Sequence, residues 1–200
     1  MNQLKDKVVL ITGAGKGAGR TLALAFAESG AIVAANDISP INVELVVAEI
    51  EAHGGKAKAY IEDVAKKVGA QCLVNSVEDD FGRIDILVNH ATVEPHTSLL
   101  DMDEWDWHRT LDVNLTGAFL MIQSTGRVMK EKGKGEILLI VAGAGRGGDK
   151  DAVAYLSSMA GLAAFSRQAD IELSPHGIRV YTVENSVDVV KDVFLTLEAK

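Results

Sequence analysis

The chain has 200 residues, 48% of them hydrophobic and 24% charged, so it is long enough to bury a core without disulfides or a structural metal. Its formal net charge of −8 argues against a nucleic-acid-binding surface, because such a surface needs a clustered basic face. The sequence contains no long apolar run and no signal-peptide pattern at its start, so we expect neither a membrane span nor secretion.

Short β-branched apolar runs alternate along the chain with longer segments of helical periodicity. The runs predict strands at Val8–Thr12, Ile32–Ala35, Ala57–Ile61, Ile84–Val88, Glu136–Val141 and Ile178–Val183. The periodic segments predict helices at Gly17–Ser29, Ile41–His53, Val64–Phe81, Met102–Lys130 and Ala152–Leu173. Because the strands are continuously apolar, we expect them to be buried on both faces of a parallel sheet. The pattern therefore predicts an α/β fold of three layers, with a doubly wound parallel sheet between helices.

Cys72, the only cysteine, lies in the third predicted helix. Its spacing to Val68 and Leu73 predicts a small buried side chain rather than a reactive thiol. A lone buried cysteine is typical of an intracellular chain, so we expect one domain, residues 1–200, in the cytoplasm. The histidines show no metal-ligand spacing, and we expect no metal site.

A glycine-rich turn joins the first predicted strand to the first predicted helix. The segment fits two spacings, GxGxxA and GxxxGxG, and it is not a Walker P-loop, because Lys16 is followed by glycine. Such glycines let the backbone approach a diphosphate, whose charge is met by the helix N-terminus. A tight turn without a ligand is the structural alternative. The placement favours dinucleotide binding, with candidate contacts at Gly13, Gly15, Lys16, Gly17, Ala18 and Gly19.

Asp37 lies just after the second predicted strand, 24 residues after Gly13. A carboxylate at this position accepts hydrogen bonds from ribose hydroxyls and repels a 2′-phosphate, so Asp37 favours NAD over NADP. Two observations weaken the assignment of Asp37 as a residue that selects NAD. Asp37 also suits a helix N-cap before Ser39, and Lys16 is a cation that suits a 2′-phosphate.

These segments, in this order, resemble the short-chain dehydrogenase/reductase family from about Leu4 to Val183. The turn Thr12–Gly19 resembles TGxxxGxG, the run Asn89–Thr92 resembles NNAG, and Tyr155 opens the segment that should read YxxxK. The resemblance implies a Rossmann-type fold with strand order 3-2-1-4-5-6-7. It also implies a nicotinamide cofactor, a small-molecule substrate, and a homodimer or homotetramer built on the two long helices.

The resemblance implies the chemistry as well. Members move hydride between a nicotinamide and a carbonyl or secondary alcohol. Tyr155 would exchange the proton at the substrate oxygen, and Asn114 would support a water that relays protons. A lysine four residues after the tyrosine and a serine thirteen residues before it should assist. Further cofactor contacts implied by the resemblance are Asp63, Val64, Asn89 and Ala91.

The two assisting residues are replaced in this chain. The lysine position holds Met159 and the serine position holds Ala142, and neither side chain donates a hydrogen bond. Without a nearby cation a tyrosine titrates near pH 10, so roughly one in a thousand is ionised at neutral pH. Losing general acid–base assistance typically costs about 10²–10⁴ in rate. Ser157 and Ser158 are poor substitutes, because helix geometry turns at least one of them away from Tyr155.

The segment after the sixth predicted strand departs from the family pattern too. Where Pro-Gly and a threonine are expected, the chain has Asn185, Ser186 and Val190. The tail Val187–Ala199 has helical apolar spacing, and we expect the usual seventh strand to be missing. The residues expected to hold the adenosine half of the cofactor are thus retained, whereas those expected to hold or use the nicotinamide half are mostly replaced. Two hypotheses follow: an NAD-dependent oxidoreductase with a degraded active site, or a catalytically inactive nucleotide-binding protein or partner subunit.

Overall fold

The computed structural model describes residues 4–142 and 149–199. Strands and helices alternate along the chain. The strands are β1 Val8–Thr12, β2 Ile32–Asp37, β3 Lys56–Ile61, β4 Ile86–Asn89, β5 Gly135–Ala142 and β6 Ile178–Asn185. The helices are α1 Gly17–Glu28, α2 Pro40–Ala52, α3 Lys67–Phe81, α4 Glu104–Leu111, α5 Gly117–Lys132, α6 Val153–Leu173 and α7 Val189–Glu198.

The six strands form one parallel sheet in the order β3-β2-β1-β4-β5-β6. This confirms the predicted α/β fold and strand order, and no seventh strand occurs between residues 4 and 142 or between 149 and 199. The order reverses between β1 and β4, which opens a crevice at their carboxyl ends. Thr12 pairs with Asn36 on one side and with Asn89 on the other, so three polar side chains lie together at that edge.

Helices cover both faces of the sheet. Alternate residues of β1 point to opposite faces, so Leu10 joins the core beneath α3, α5 and α6, while Val9 joins the core beneath α1, α2 and α7. The predicted helical tail is confirmed as α7. It packs on α1, where the rings of Phe26 and Phe194 are 5.2 Å apart.

The long helix predicted at Met102–Lys130 is interrupted in the structure. It begins at Glu104, because the carboxylate of Asp103 accepts a hydrogen bond from the Asp106 amide at 2.7 Å and caps the first turn. A π-helical turn, Asp112–Thr116, separates α4 from α5. The second part ends at Lys132, where Gly133 adopts a left-handed conformation with φ of 68°.

Two burial predictions are wrong. The strands β3 and β6 are not buried on both faces, because they are the two edge strands of the sheet. Lys56, Lys58 and Ile61 of β3 are exposed, as are Arg179 and Thr182 of β6. Cys72 is exposed rather than buried, and Val68, one turn earlier, is 70% exposed. Cys72 and Val68 lie outside the buried face of α3. That face consists of small and apolar residues, namely Gly69, Ala70, Leu73, Val74 and Val77.

None of the helices in the described ranges, 4–142 and 149–199, is long and apolar enough to cross a bilayer. Across those same ranges, no group of three or more His, Cys, Asp or Glu side chains is arranged to hold a metal ion.

Candidate functional site

A cleft of about 420 Å³ lies above the carboxyl ends of the central strands. Its walls come from the glycine turn, the end of β2, the end of β3, the loop after β4, and α4. Predicted cofactor residues that line it are Gly13, Lys16, Gly17, Ala18, Asp37, Asp63, Val64 and Ala91. The remaining three, Gly15, Gly19 and Asn89, are buried. The topology therefore brings the turn and the strand ends to one cavity.

The glycine turn forms a cradle, a concave stretch of backbone that depends on the absence of side chains. Gly13 and Gly17 have φ of +67° and +55°, a conformation that glycine adopts without strain. A Cβ on Gly19 would collide with the Gly13 carbonyl oxygen, whereas the space beside Gly17 is open. The helix α1 begins at Gly17. The side chain of its N-cap residue, Lys16, accepts no hydrogen bond from the first backbone amides of the helix. Free amides and open space fit a diphosphate.

The carboxylate of Asp37 is held at the rim of this cradle. Its Oδ2 accepts a hydrogen bond from the Gly15 amide at 2.9 Å, and its Oδ1 accepts one from the Ser39 amide at 2.9 Å. A Cβ on Gly15 would lie 2.7 Å from Asp37 Oδ2, so the close approach requires glycine. The alternative role as N-cap of α2 is wrong, because Ser39 caps that helix and accepts from the Asn42 amide.

Asp63, after the end of β3, and Arg109, on α4, also line the cleft and face each other. Asp63 Oδ1 accepts a hydrogen bond from the Ala65 amide at 3.0 Å, and Arg109 Nη1 lies 3.9 Å from Asp63 Oδ2. Sequence reasoning missed Arg109. No local pattern marks it, since only the tertiary fold brings α4 beside the segment that follows β3.

A buried threonine links the glycine turn to the loop after β4. Thr12 Oγ1 accepts hydrogen bonds from the backbone amides of His90 and Ala91, both at 3.1 Å. The ring of His90 then lies against the turn. Burial lowers the pKa of the His90 imidazole, while the Gly13 carbonyl and the Asp37 carboxylate act in the opposite direction. The imidazole is therefore neutral at neutral pH.

The side chain of Asn114, predicted to support a relay water, is fully used by protein partners. Its Oδ1 accepts hydrogen bonds from Thr92 Oγ1 at 3.1 Å and from the Val93 amide at 2.8 Å. Its Nδ2 donates to the Val93 carbonyl at 3.0 Å and to Ser158 Oγ at 2.9 Å. Four bonds saturate a carboxamide, so this side chain ties the loop after β4 to α6.

Ser158 completes this link and was missed as a site residue. Its Oγ donates to the carbonyl of Tyr155 at 2.6 Å, and the residue is fully buried, whereas Ser157 is exposed. The expectation that the helix turns one of the two serines away is therefore confirmed. The signal was available, because Ser158 lies three residues after Tyr155, on the same side of a helix.

Tyr155 and Met159 lie one turn apart on α6 and are buried, 3% and 5% exposed, in the same apolar cluster. Ala142, at the serine position, is partly buried against that cluster. Asn185, after the sixth strand's apolar run, lines the cleft.

Two proteins of similar sequence are a dehydrogenase subunit and a reductase. The chain is 39% identical, over 90% of its length and 72% of the relative's, to (2S)-[(R)-hydroxy(phenyl)methyl]succinyl-CoA dehydrogenase subunit BbsD of Thauera aromatica. It is 37% identical to a 3-oxoacyl-[acyl-carrier-protein] reductase of Synechocystis sp., over 92% of this chain and 74% of that one.

Solved structures of similar fold are also oxidoreductases, as two examples show. NAD⁺-bound xylitol dehydrogenase has a TM-score of 0.87 and 32% identity, covering 91% of this chain and 70% of that one. A metagenomic short-chain oxidoreductase in complex with NADP has a TM-score of 0.90 and 29% identity, covering 98% and 92%. The sequence model of the short chain dehydrogenase family matches residues 7–187. With its fold, its cleft and these similarities, the chain belongs to the short-chain dehydrogenase family.

Proposed function

We propose that this protein is an NAD-dependent oxidoreductase that acts, slowly, on a carbonyl or secondary alcohol. The observation that carries the cofactor choice is the Asp37 carboxylate, fixed by the amides of Gly15 and Ser39 at the rim of the cleft. A fixed carboxylate accepts hydrogen bonds from the hydroxyls of a ribose and repels a 2′-phosphate. Lys16, in the same turn, is exposed, whereas two backbone amides fix Asp37, so we give Asp37 the greater weight.

The rest of the cleft suits the remainder of the dinucleotide. The glycine turn and the N-terminus of α1 would hold the diphosphate, and Asp63 and Val64 would hold the adenine. When bound, the nicotinamide ring supplies or accepts the hydride. The chain's own contribution would be to hold the cofactor, to exclude water and to move the proton at the substrate oxygen.

Tyr155 is the residue that we assign to proton transfer. In the oxidation direction its phenolate oxygen would take the hydroxyl proton of the alcohol, and in reduction its hydroxyl would return it. Met159, one turn later, has no charge with which to favour the phenolate, and Ala142 has no hydroxyl to position the substrate oxygen. We therefore expect turnover about 10²–10⁴-fold below that of a member with both groups.

The same replacements favour a second candidate function, a nucleotide-binding protein without turnover. Met159 is packed into the apolar cluster of Tyr155 rather than left beside an open pocket. Such a protein would bind the adenosine half of NAD and serve as a sensor or as a subunit of an active partner.

One pair of measurements separates the two candidates. Calorimetry compares the binding of NAD⁺, ADP-ribose and NADP⁺, and absorbance at 340 nm follows turnover with a panel of secondary alcohols and ketones. The oxidoreductase predicts tighter binding of NAD⁺ than of ADP-ribose and slow turnover that Tyr155→Phe abolishes. Tyr181→Phe, a half-buried tyrosine on β6, is the matched control and should keep the activity. Equal affinities without turnover would favour the second candidate, and failure of all three ligands to bind would refute both.

We also propose a homodimer or homotetramer formed through α5 and α6. The face that they share carries a groove of about 380 Å³, and the rings of Phe119 and Phe165 meet edge to face there at 6.4 Å. Sedimentation analysis of the wild type and of Phe119→Glu tests this, because a carboxylate in a packed interface should dissociate the oligomer. The cytoplasmic location and the single domain over residues 1–200 stay predictions.

A further inference from the structure

His90 occupies the position directly after β4, beneath the glycine turn. Its backbone amide is anchored to Thr12 Oγ1, which sets the ring against the turn. A Cβ on Gly13 would lie 3.2 Å from the His90 Nδ1, and a Cβ on Gly19 would lie 2.8 Å from it. The imidazole therefore fills the space that these two glycines leave open.

Within the described residues, the buried ring nitrogen that faces the glycines, Nδ1, lies near the Gly13 carbonyl but makes no hydrogen bond of normal geometry. Buried polar atoms are normally paired, and an orphaned one at a ligand site calls for a physical explanation. The Gly13 carbonyl is the acceptor that favours a proton on this ring, while burial disfavours it.

Few charges surround the ring in the absence of a ligand. Asp37 comes from the end of β2, and Lys16 is exposed in the turn. On α1, Arg20 is paired with Glu49, and the loop residues after His90 that line the cleft, Ala91 to Val93, do not titrate. The other charged groups that line the cleft are Glu62, Asp63 and Arg109.

We propose that His90 is a positioning residue of the dinucleotide site, and that its imidazole takes up a proton from solvent when the glycine turn binds a diphosphate. The inference rests on the dinucleotide site proposed above. A diphosphate brings negative charge to the turn against which the ring packs, and this charge favours the imidazolium. The protonated Nδ1 then donates to the Gly13 carbonyl, which steadies the turn around the ligand.

The sign of the effect follows from linkage. Burial lowers the pKa of His90 in the free protein, and a bound anion raises it. Between the two values, binding consumes protons, so affinity for the dinucleotide rises as the pH falls. We expect affinity for ADP-ribose to increase about 3- to 10-fold from about pH 7.5 to about pH 5.5.

Calorimetry with ADP-ribose tests the proposal, because this ligand has no group of its own that titrates near neutrality. Titrations at about pH 6.5 in two buffers of different ionisation enthalpy give the number of protons taken up, and we expect roughly 0.3–0.8 per ADP-ribose bound. His90→Asn should bind without proton uptake and with a flat pH profile. His53→Asn, which alters an exposed histidine at the end of α2, should retain the uptake of the wild type.

A second measurement does not depend on the folding of a variant. Nuclear magnetic resonance of the His90 ring carbons in the wild type, with and without ADP-ribose, should show the pKa rise on binding. Binding of ADP-ribose without proton uptake, or uptake that persists in His90→Asn, would overturn this inference and leave the proposed function intact. A wild type that binds neither NAD⁺ nor ADP-ribose would overturn both.

Discussion

The substitution Asp37→Asn addresses the cofactor preference most directly. The wild-type carboxylate lies where the adenosine ribose is expected, and two backbone amides fix it there at 2.9 Å each. Asparagine keeps the shape of the side chain but removes the charge and one of the two acceptor oxygens. The variant should therefore lose both its discrimination against a 2′-phosphate and part of the anchoring of the glycine turn.

The magnitudes follow from the environment of the carboxylate. Two like charges about 4 Å apart repel by about 4 kcal/mol at an effective dielectric constant of about 20, and by less where water screens them. A repulsion of about 2–4 kcal/mol corresponds to a wild-type preference for NAD⁺ over NADP⁺ of about 30- to 1,000-fold. In Asp37→Asn we expect the preference to fall below about tenfold. One orphaned amide, of Gly15 or Ser39, should also cost about 1–3 kcal/mol of stability.

Calorimetric dissociation constants for NAD⁺ and NADP⁺, with urea unfolding of both proteins, check these figures. The matched control is Asp170→Asn, because Asp170 also accepts a backbone amide, that of Val180 at 2.8 Å, but lies outside the cleft. It should lose stability and keep the cofactor preference. The reasoning is refuted if the wild type binds NADP⁺ as tightly as NAD⁺, or if Asp37→Asn keeps the full preference.

Three further substitutions test the local geometry. Gly19→Ala should abolish ADP-ribose binding in a calorimetric titration, since its Cβ would collide with the Gly13 carbonyl; wild-type affinity would contradict the cradle. Ser158→Ala removes the acceptor of one Asn114 amide proton in a buried site and should cost about 1–3 kcal/mol in urea unfolding, and no loss would mean that the bond is not formed. Asp151→Val should cost about 1–2 kcal/mol in urea unfolding, because Asp151 has φ of 57°, a conformation that aspartate tolerates and a β-branched residue does not; unchanged stability would contradict the left-handed backbone there.

Much of the fold could be predicted from local patterns. Continuous apolar runs and 3.6-residue periodicity located all six strands and the helices between them, with boundaries that differ mostly at the caps. Asp103 and Gly133 are such caps; both residue types are typical of helix ends, whereas apolar periodicity alone does not set the boundary. The interruption of the long helix by a π-helical turn likewise left no signature in the apolar spacing.

Burial was harder to predict where it depends on position in the assembled sheet. The apolar residues of β3 resemble those of the central strands, yet β3 lies at an edge and its outer face meets solvent. Cys72 is spaced as a core residue but lies outside the stripe of α3 that faces the sheet. The rotation of a helix about its axis is set by packing, and one residue of spacing shifts it by about 100°.

By itself, the sequence determined the order and type of the elements, the glycine turn and the placement of Asp37 at a strand end, because these depend on residues that are near neighbours in the chain. Only the tertiary structure decided which distant side chains meet: Ser158 with Asn114, Arg109 with Asp63, and the His90 ring with the turn. Such meetings depend on how helices and loops dock on the sheet. Docking is a property of the whole packed core, and no local pattern in the chain encodes it.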